Sequence, residues 1–487
     1  MRRFATITLL VLAVACTKTE TESSSTISIG DTAATSTTAT TATTTTTATT
    51  TSTAPPPPAI VLSANIPGDV QEGSIPPGSD RNQKFAIAQG DFDIYSWNTF
   101  IALNWPPGPD GKGDPKKTIG QNGDNDTVWE HYRDVADVFL PGGAVPTWNG
   151  PEPNVPPECK ADYTPGERII TQVGKTPNVL TVSEFSQPFN TGPLIDQNGV
   201  YTRYEILVNK PMFDYILSNS LYSKAGQKVF SGAVKFPCGV LGGAEGAIMV
   251  KSSWKIIDPS EKARFHTANV LVYTPASTNP KYGASCSRKT VGLVGFHIGH
   301  KTNLAPQWLW STFEHIDNVP TEEDVAAGKL KAKYNYYNPK CNATDCPPNK
   351  VPPRPWNPTQ VASFHSQIVR MNMFKGGSEF AFTSAAKHNA EALKLLVGVN
   401  PNSVWQNYEL ISTMWPTNPG NGLCTAAPSA PLGEPAPSFL ANTTLETYIQ
   451  GPPLAPNVSS NCIECHNNAT MTTPVHSDFT YVLQRAK

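Results

Sequence analysis

Two cysteines and a histidine, Cys462, Cys465 and His466, leave this chain few ways to complete its fold. Positions i, i+3 and i+4 share one face of a helix, so a single turn there presents both thiols and the imidazole to one object. With nine Cys and nine His in 487 residues, the pattern C-x-x-C-H would arise by composition alone in roughly three of a thousand such chains, which makes coincidence a poor account of it. A zinc site would need a second pair of ligands at comparable spacing, and the sequence holds no other C-x-x-C or paired Cys/His cluster. The spacing matches covalent attachment of a c-type haem. Cys462 and Cys465 would form the thioethers, and His466 would be the proximal axial ligand of the iron. Only residues 467–487 follow, too few to enclose a macrocycle. The expectation is therefore one haem c whose pocket is built mostly by the rest of the chain.

The opposite end has a different character. Arg2 and Arg3 precede an apolar run, Phe4 to Ala15, that leads into Cys16. The run is too short to span a bilayer as a permanent helix and has the form of an export signal. Residues 17–60 are almost entirely Thr, Ser and Ala and close on four prolines, Pro55 to Pro58. Such a tract has too few large apolar groups to offset the entropy of ordering, so a disordered tether is expected. Residues 61–450 then form a large body, and 451–487 the haem-attachment segment. The formal net charge is −2 with both signs mixed, which gives no basis for a nucleic-acid partner.

Within the body, β-branched and aromatic runs bounded by Gly, Pro, Asn and Ser predict strands over 246–257, 265–274, 290–300 and 307–316. Their order suggests an antiparallel meander. Amphipathic patterns predict helices over 93–104, stopped by Pro106, and over 361–374 and 384–397. The fold class is α+β with a β-rich antiparallel centre, and the haem segment packs on it. Setting aside Cys16, Cys462 and Cys465 leaves six cysteines, an even number that suits an oxidising compartment. Cys341 and Cys346 are the nearest pair, and the other pairings stay open.

The distal iron ligand has several candidates. His297 ranks first because Gly295 and Gly299, two residues to either side, would share its face of a strand and leave a flat slot. His300 is on the opposite face and ranks second. His476 has ten residues of reach from His466. His315, His365, His388, Met371, Met373 and Met414 complete the set. Glu314 and His315 are the candidate catalytic acid/base residues should the iron keep an open position.

Several segments carry resemblances. Leu12 to Cys16 resembles a bacterial lipoprotein signal, which implies lipid on Cys16 and a protein at the periplasmic or outer face of an outer membrane. The segments Ser96–Pro106, Val291–Thr302, Gln307–Pro320, Leu440–Gln450 and Asp478–Ala486 resemble parts of uncharacterised bacterial exported proteins that end in a single C-x-x-C-H motif. Similarity to c-type cytochromes implies haem attachment outside the cytoplasm. Together these imply an exported cytochrome acting in one-electron transfer with a redox partner that the sequence leaves unnamed. A haem enzyme of peroxidase or oxygenase type, or a surface binding or sensing module, are the alternatives.

Overall fold

A computed structural model describes residues 57–121, 126–150, 154–172, 191–276, 283–353, 356–361, 364, 366–371, 379–420, 424, 432–450 and 460–487. Cys16, His365 and Met373, together with the signal and nearly all of the tether, lie outside the described residues. From Pro56 to Lys487 the chain forms one compact unit.

Nine strands make one sheet: β1 (Arg133–Asp134), β2 (Ile169–Ile170), β3 (Arg203–Val208), β4 (Ile248–Ile256), β5 (Thr267–Thr274), β6 (Ser285–His300), β7 (Leu309–His315), β8 (Tyr408–Pro416) and β9 (Pro435–Ala436). The helices among the described residues are α1 (Arg81–Leu103), α2 (Val135–Val138), α3 (Lys210–Ser218), α4 (Lys224–Val229), α5 (Glu322–Ala326), α6 (Glu379–Val399) and α7 (Cys462–His466). The coarse class, α+β around a large antiparallel sheet, is as expected.

The strand order is β1-β3-β4-β6-β7-β8-β9, antiparallel throughout, with β5 on β6 and β2 parallel to β5. The simple meander is thus wrong in one respect. β4 does not pair with β5; both pair with the long β6, β4 over Val291–His300 and β5 over Ser285–Gly292. A strand of 16 residues can serve different neighbours along its length.

Alternation along the strands separates two cores. On one face Val250, Phe296, Ile298 and Phe313 meet Trp97, Phe100 and Ile101 of α1 and Leu396 of α6. The Phe100 ring stacks on Phe313 at 4.2 Å. On the other face Met249, Trp308 and Trp310 meet Phe213 of α3 and the C-terminal residues Ile463, Met471, Phe479 and Leu483. A sheet covered on both faces buries nearly every side chain, which is why β3 and β7 are buried along their whole length.

α1 starts earlier than the apolar pattern suggested, because Asp80 and Gln83 form a reciprocal capping box. It ends at Leu103, just before Pro106. α6 covers the third expected helix. The second, over 361–374, is corrected where it is described: residues 366–371 run extended. Ile368 N–H donates to Tyr336 O at 2.8 Å and Arg370 N–H to Pro320 O at 2.9 Å, so partners remote in sequence satisfy this backbone in place of a helical turn. Three disulfides join Cys159 to Cys286, Cys238 to Cys424, and Cys341 to Cys346. The last is the pair expected from spacing.

Candidate functional site

α7 is a single turn held at both ends. Its N-cap Asn461 accepts from Glu464 N–H at 3.0 Å and donates to Ser438 O at 3.2 Å. Ser460 and Leu440 exchange bonds through Ser460 Oγ–H to Leu440 O at 2.6 Å and Leu440 N–H to Ser460 O at 2.7 Å. Ile463 is fully buried in the second core, while Cys462 and Cys465 are half-buried and belong to no disulfide. After α7 the tail doubles back, with Met471 N–H on Val475 O and Ser477 N–H on Ala469 O, each at 2.9 Å.

This return places the Phe479 carbonyl 2.8 Å from His466 Nδ1. A carbonyl only accepts, so the ring proton is on Nδ1, and in the neutral imidazole Nε2 carries the lone pair that can ligate a metal. The ring lies against Trp310 with centroids 4.1 Å apart and meets Tyr481 edge-on at 5.3 Å. Tyr481 in turn donates to the Cys465 carbonyl at 2.7 Å. Cys465 and His466 are therefore each bonded to the returning tail, and Cys462 packs against the second core.

A small cavity opens beside α7. Its wall joins Cys462 and His466 to Met249 and Lys251 of β4, His297 and Gly299 of β6, Trp310 of β7, and Glu446. The first-ranked distal candidate thus shares a cavity with the motif. Both nitrogens of His297 are engaged: Nε2–H donates to Glu446 Oε2 at 2.8 Å, and Nδ1 accepts from the Thr312 hydroxyl at 2.9 Å. Met249, which the sequence reading passed over, lines the same cavity, and its thioether sulfur accepts a long 3.5 Å bond from the Thr480 hydroxyl. Its neighbours Ile248 and Val250 face the opposite core, and only the strand register distinguishes them. Glu446 was also missed, since one acidic residue in a loop carries no local signal.

Gly295, contrary to expectation, opens no slot beside His297. The space a side chain would take there is filled by Thr444, Ser253 and Asn442, so protein occupies the expected slot. Gly299 does face the cavity.

The remaining candidates serve the fold. His300, on the other face, accepts from the Tyr95 hydroxyl and donates to Glu245 O at 2.6 Å; burial pushes its pKa down to about 4. His476 donates to Asn467 O at 2.9 Å and accepts from Asp478 N–H at 3.2 Å, which closes the tail on itself. His315 donates to Arg264 O at 2.9 Å, accepts from Asp317 N–H at 3.1 Å and stacks on Phe265 at 4.1 Å. Its pKa is also lowered by burial to about 4. Glu314 pairs with Arg370 at 2.6 Å and accepts from both the N–H and the hydroxyl of Thr443. Glu314 and His315 are thus engaged in bonds within the body, and neither lines the cavity beside His466. The titratable residues that line the cavity with His466 are His297, Glu446, Lys251 and Cys462. His388 is buried and bonded to Glu391 at 2.9 Å, and Met414 is buried in the second core.

Among the described residues no group of three or more His, Cys, Asp or Glu could hold a metal ion by itself. Searches for this chain among protein-family models, curated proteins and solved structures found no match.

Proposed function

We propose that Cys462 and Cys465 carry one covalently attached haem, that His466 is an axial ligand, and that the protein transfers single electrons outside the cytoplasm. The observation that carries this reading is the state of the motif. Two thiols stand outside every disulfide in a chain whose other described cysteines are all paired, one helical turn away from an imidazole oriented through Nδ1. A carbonyl on the far nitrogen is the usual way a ligating histidine is fixed and made more basic. The iron of a haem held there would take up and release one electron.

The chain's own residues divide the remaining work. Met249 and His297 are the cavity residues that could also hold the iron, and His297 would do so only by giving up Glu446 or Thr312. The cavity has room for about one water molecule, so a macrocycle against His466 requires Trp310 to leave the imidazole. Lipid on Cys16 would tie the body, through residues 17–60, to a membrane surface, and this too is a proposal.

One observation favours a second reading, a haem enzyme of peroxidase type. The His297–Glu446 pair lines the cavity, and a histidine bonded to a carboxylate can hold and pass a proton. Met249 as a ligand would favour the carrier, and an open iron position beside His297 the enzyme.

Protein produced with a cytochrome c maturation system should keep its haem through denaturing electrophoresis and acid–acetone extraction. Cys462→Ala with Cys465→Ala should abolish that retention. Haem that extracts freely from the unaltered protein refutes the attachment. High-spin iron that binds CO readily selects the enzyme over the carrier.

A further inference from the structure

The His466 carbonyl partner comes from an unusual piece of backbone. Asp478 and Phe479 have φ of 54° and 60°, two successive non-glycine residues in the left-handed region. Phenylalanine is poorly suited to that region, and such conformations persist only where the surroundings over-determine them. A buried ion pair sits at this turn. Asp478 is wholly inaccessible, and its Oδ2 is bonded to Lys301 Nζ, on a side chain that is itself buried. The same oxygen accepts from Phe236 N–H at 2.7 Å. Lys301 is anchored in turn: its N–H donates to Ala247 O at 3.0 Å and its carbonyl accepts from Gly239 N–H at 2.8 Å.

Stability alone is a weak reason for this pair. Removing two charges from water costs more than packing neutral groups of similar size, and replacing a buried ion pair by such groups is often neutral or stabilising. Asp478 Oδ1 is also buried with no hydrogen-bond partner, a further cost that the tail bears. Lys301 directly continues β6, and by alternation it shares a face with His297 and Gly299. One strand therefore sets both the cavity wall and the turn behind His466.

We infer that the Lys301–Asp478 ion pair is a positioning device for His466: it clamps Asp478 and Phe479 in the left-handed conformation so that the Phe479 carbonyl holds the imidazole proton on Nδ1 and leaves Nε2 as the ligating nitrogen. This goes beyond the haem proposal and rests on it only for its purpose. The tautomer is a property of the chain with or without haem.

The test uses the full-length chain, labelled with ¹⁵N-histidine and produced both with and without haem maturation. Lys301→Met with Asp478→Asn removes both charges at nearly constant volume, keeps an acceptor for Phe236 N–H, and places asparagine, a residue that tolerates positive φ, at 478. It is expected to fold, and Lys301→Met alone is the second variant. In the unaltered chain without haem, His466 should be the Nδ1–H tautomer alone. In either folded variant it should exchange between both tautomers, while the His300 and His315 signals stay in place. In haem-loaded protein the double variant leaves the net charge unchanged, so a loosened Nδ1 bond should weaken the ligand and favour reduced iron. The expected size is tenfold in the oxidised-to-reduced ratio, in line with losses seen on removing outer partners of metal ligands, or a rise of about 59 mV for one electron. His466 that stays locked on Nδ1–H in the folded variants overturns the inference. Failure of haem attachment would refute the haem proposal and leave the tautomer result to decide this one.

Discussion

Two glycines on one face of β6 should respond in opposite ways to a single added methyl group. A Cβ on Gly295 would lie 2.5 Å from Ser253 Oγ and 2.8 Å from Asn442 Oδ1, and nearer still to Thr444 Oγ. These atoms have little freedom to retreat. Ser253 and Thr444 share a 2.6 Å hydrogen bond, Thr444 donates to Asn442 at 2.7 Å, and all three residues are fully buried. Overpacking costs about 1–3 kcal/mol, and losing at least one of the buried hydrogen bonds adds about 1–3 kcal/mol. Against this, alanine restricts the unfolded chain and recovers about 0.4–1 kcal/mol. The net loss for Gly295→Ala is about 3 kcal/mol, a large share of the 5–15 kcal/mol typical of a folded protein. At Gly299 the new Cβ meets Met249 Cε and Trp310 Cζ3 at 3.5 Å, ordinary contact distance. Gly299→Ala should therefore keep the unfolded-state gain and be neutral or more stable by about 0.5 kcal/mol. Urea unfolding under non-reducing conditions, followed by far-ultraviolet circular dichroism and by tryptophan fluorescence, measures both variants against the parent. Variants that fall within 1 kcal/mol of each other would refute the account of the Asn442–Thr444 segment as a rigid filler of the slot beside His297.

Two further outcomes are expected. His300 and His315 have folded pKa values of about 4, below the usual 6.5 or so; the stability from each is complete above pH 6.5 and is lost as pH falls toward 4, by about 3 kcal/mol per histidine. His315→Gln should flatten the fall between pH 7 and pH 4.5, and an unchanged slope would count against a neutral buried His315. Opening Cys159–Cys286, with a sequence separation of 127, should cost about 5 kcal/mol in the chain-entropy account, against about 2 kcal/mol for Cys341–Cys346, with a separation of 5. Paired Cys→Ala variants compared in urea would show that order, and the reverse order would mean that native contacts rather than loop closure govern these bridges.

What could be read from the sequence was local. The turn that carries Cys462, Cys465 and His466 needs only its own spacing, and the pairing of Cys341 with Cys346 needs only a short loop. The centres of α1 and α6 follow from periodicity within a dozen residues. Elsewhere, distant partners decided the outcome. Residues 366–371 have an amphipathic pattern but run extended, because the carbonyls of Pro320 and Tyr336 take up their N–H groups. The slot beside Gly295 is inferable from one strand, yet its occupant comes from residues 442–444, and no pattern within β6 announces it. Glu314 and His315 have the chemistry of an acid/base pair, and only tertiary contacts reveal Arg370, Thr443 and Arg264 as their partners. Met249 and Glu446 reach His466 through strand register and a loop path, neither of which leaves a trace in composition.

The way the tail is fastened also dictates when the molecule can be completed. Thr480 bonds to Met249, Phe236 to Asp478 and Gln227 to Leu483, across separations of 231, 242 and 256 residues. Contacts that close such long loops form late and slowly. Until they close, Ile463 lies outside its core and the motif is open to other proteins; once they close, its cysteines are half-buried beside a cavity the size of a water molecule. If haem is attached here as proposed, an attaching enzyme that needs both thiols would have only the interval before docking in which to act. Were haem attached as proposed, a change that speeds the docking of the tail would lower the yield of haem-bearing protein without altering any residue that the attachment touches.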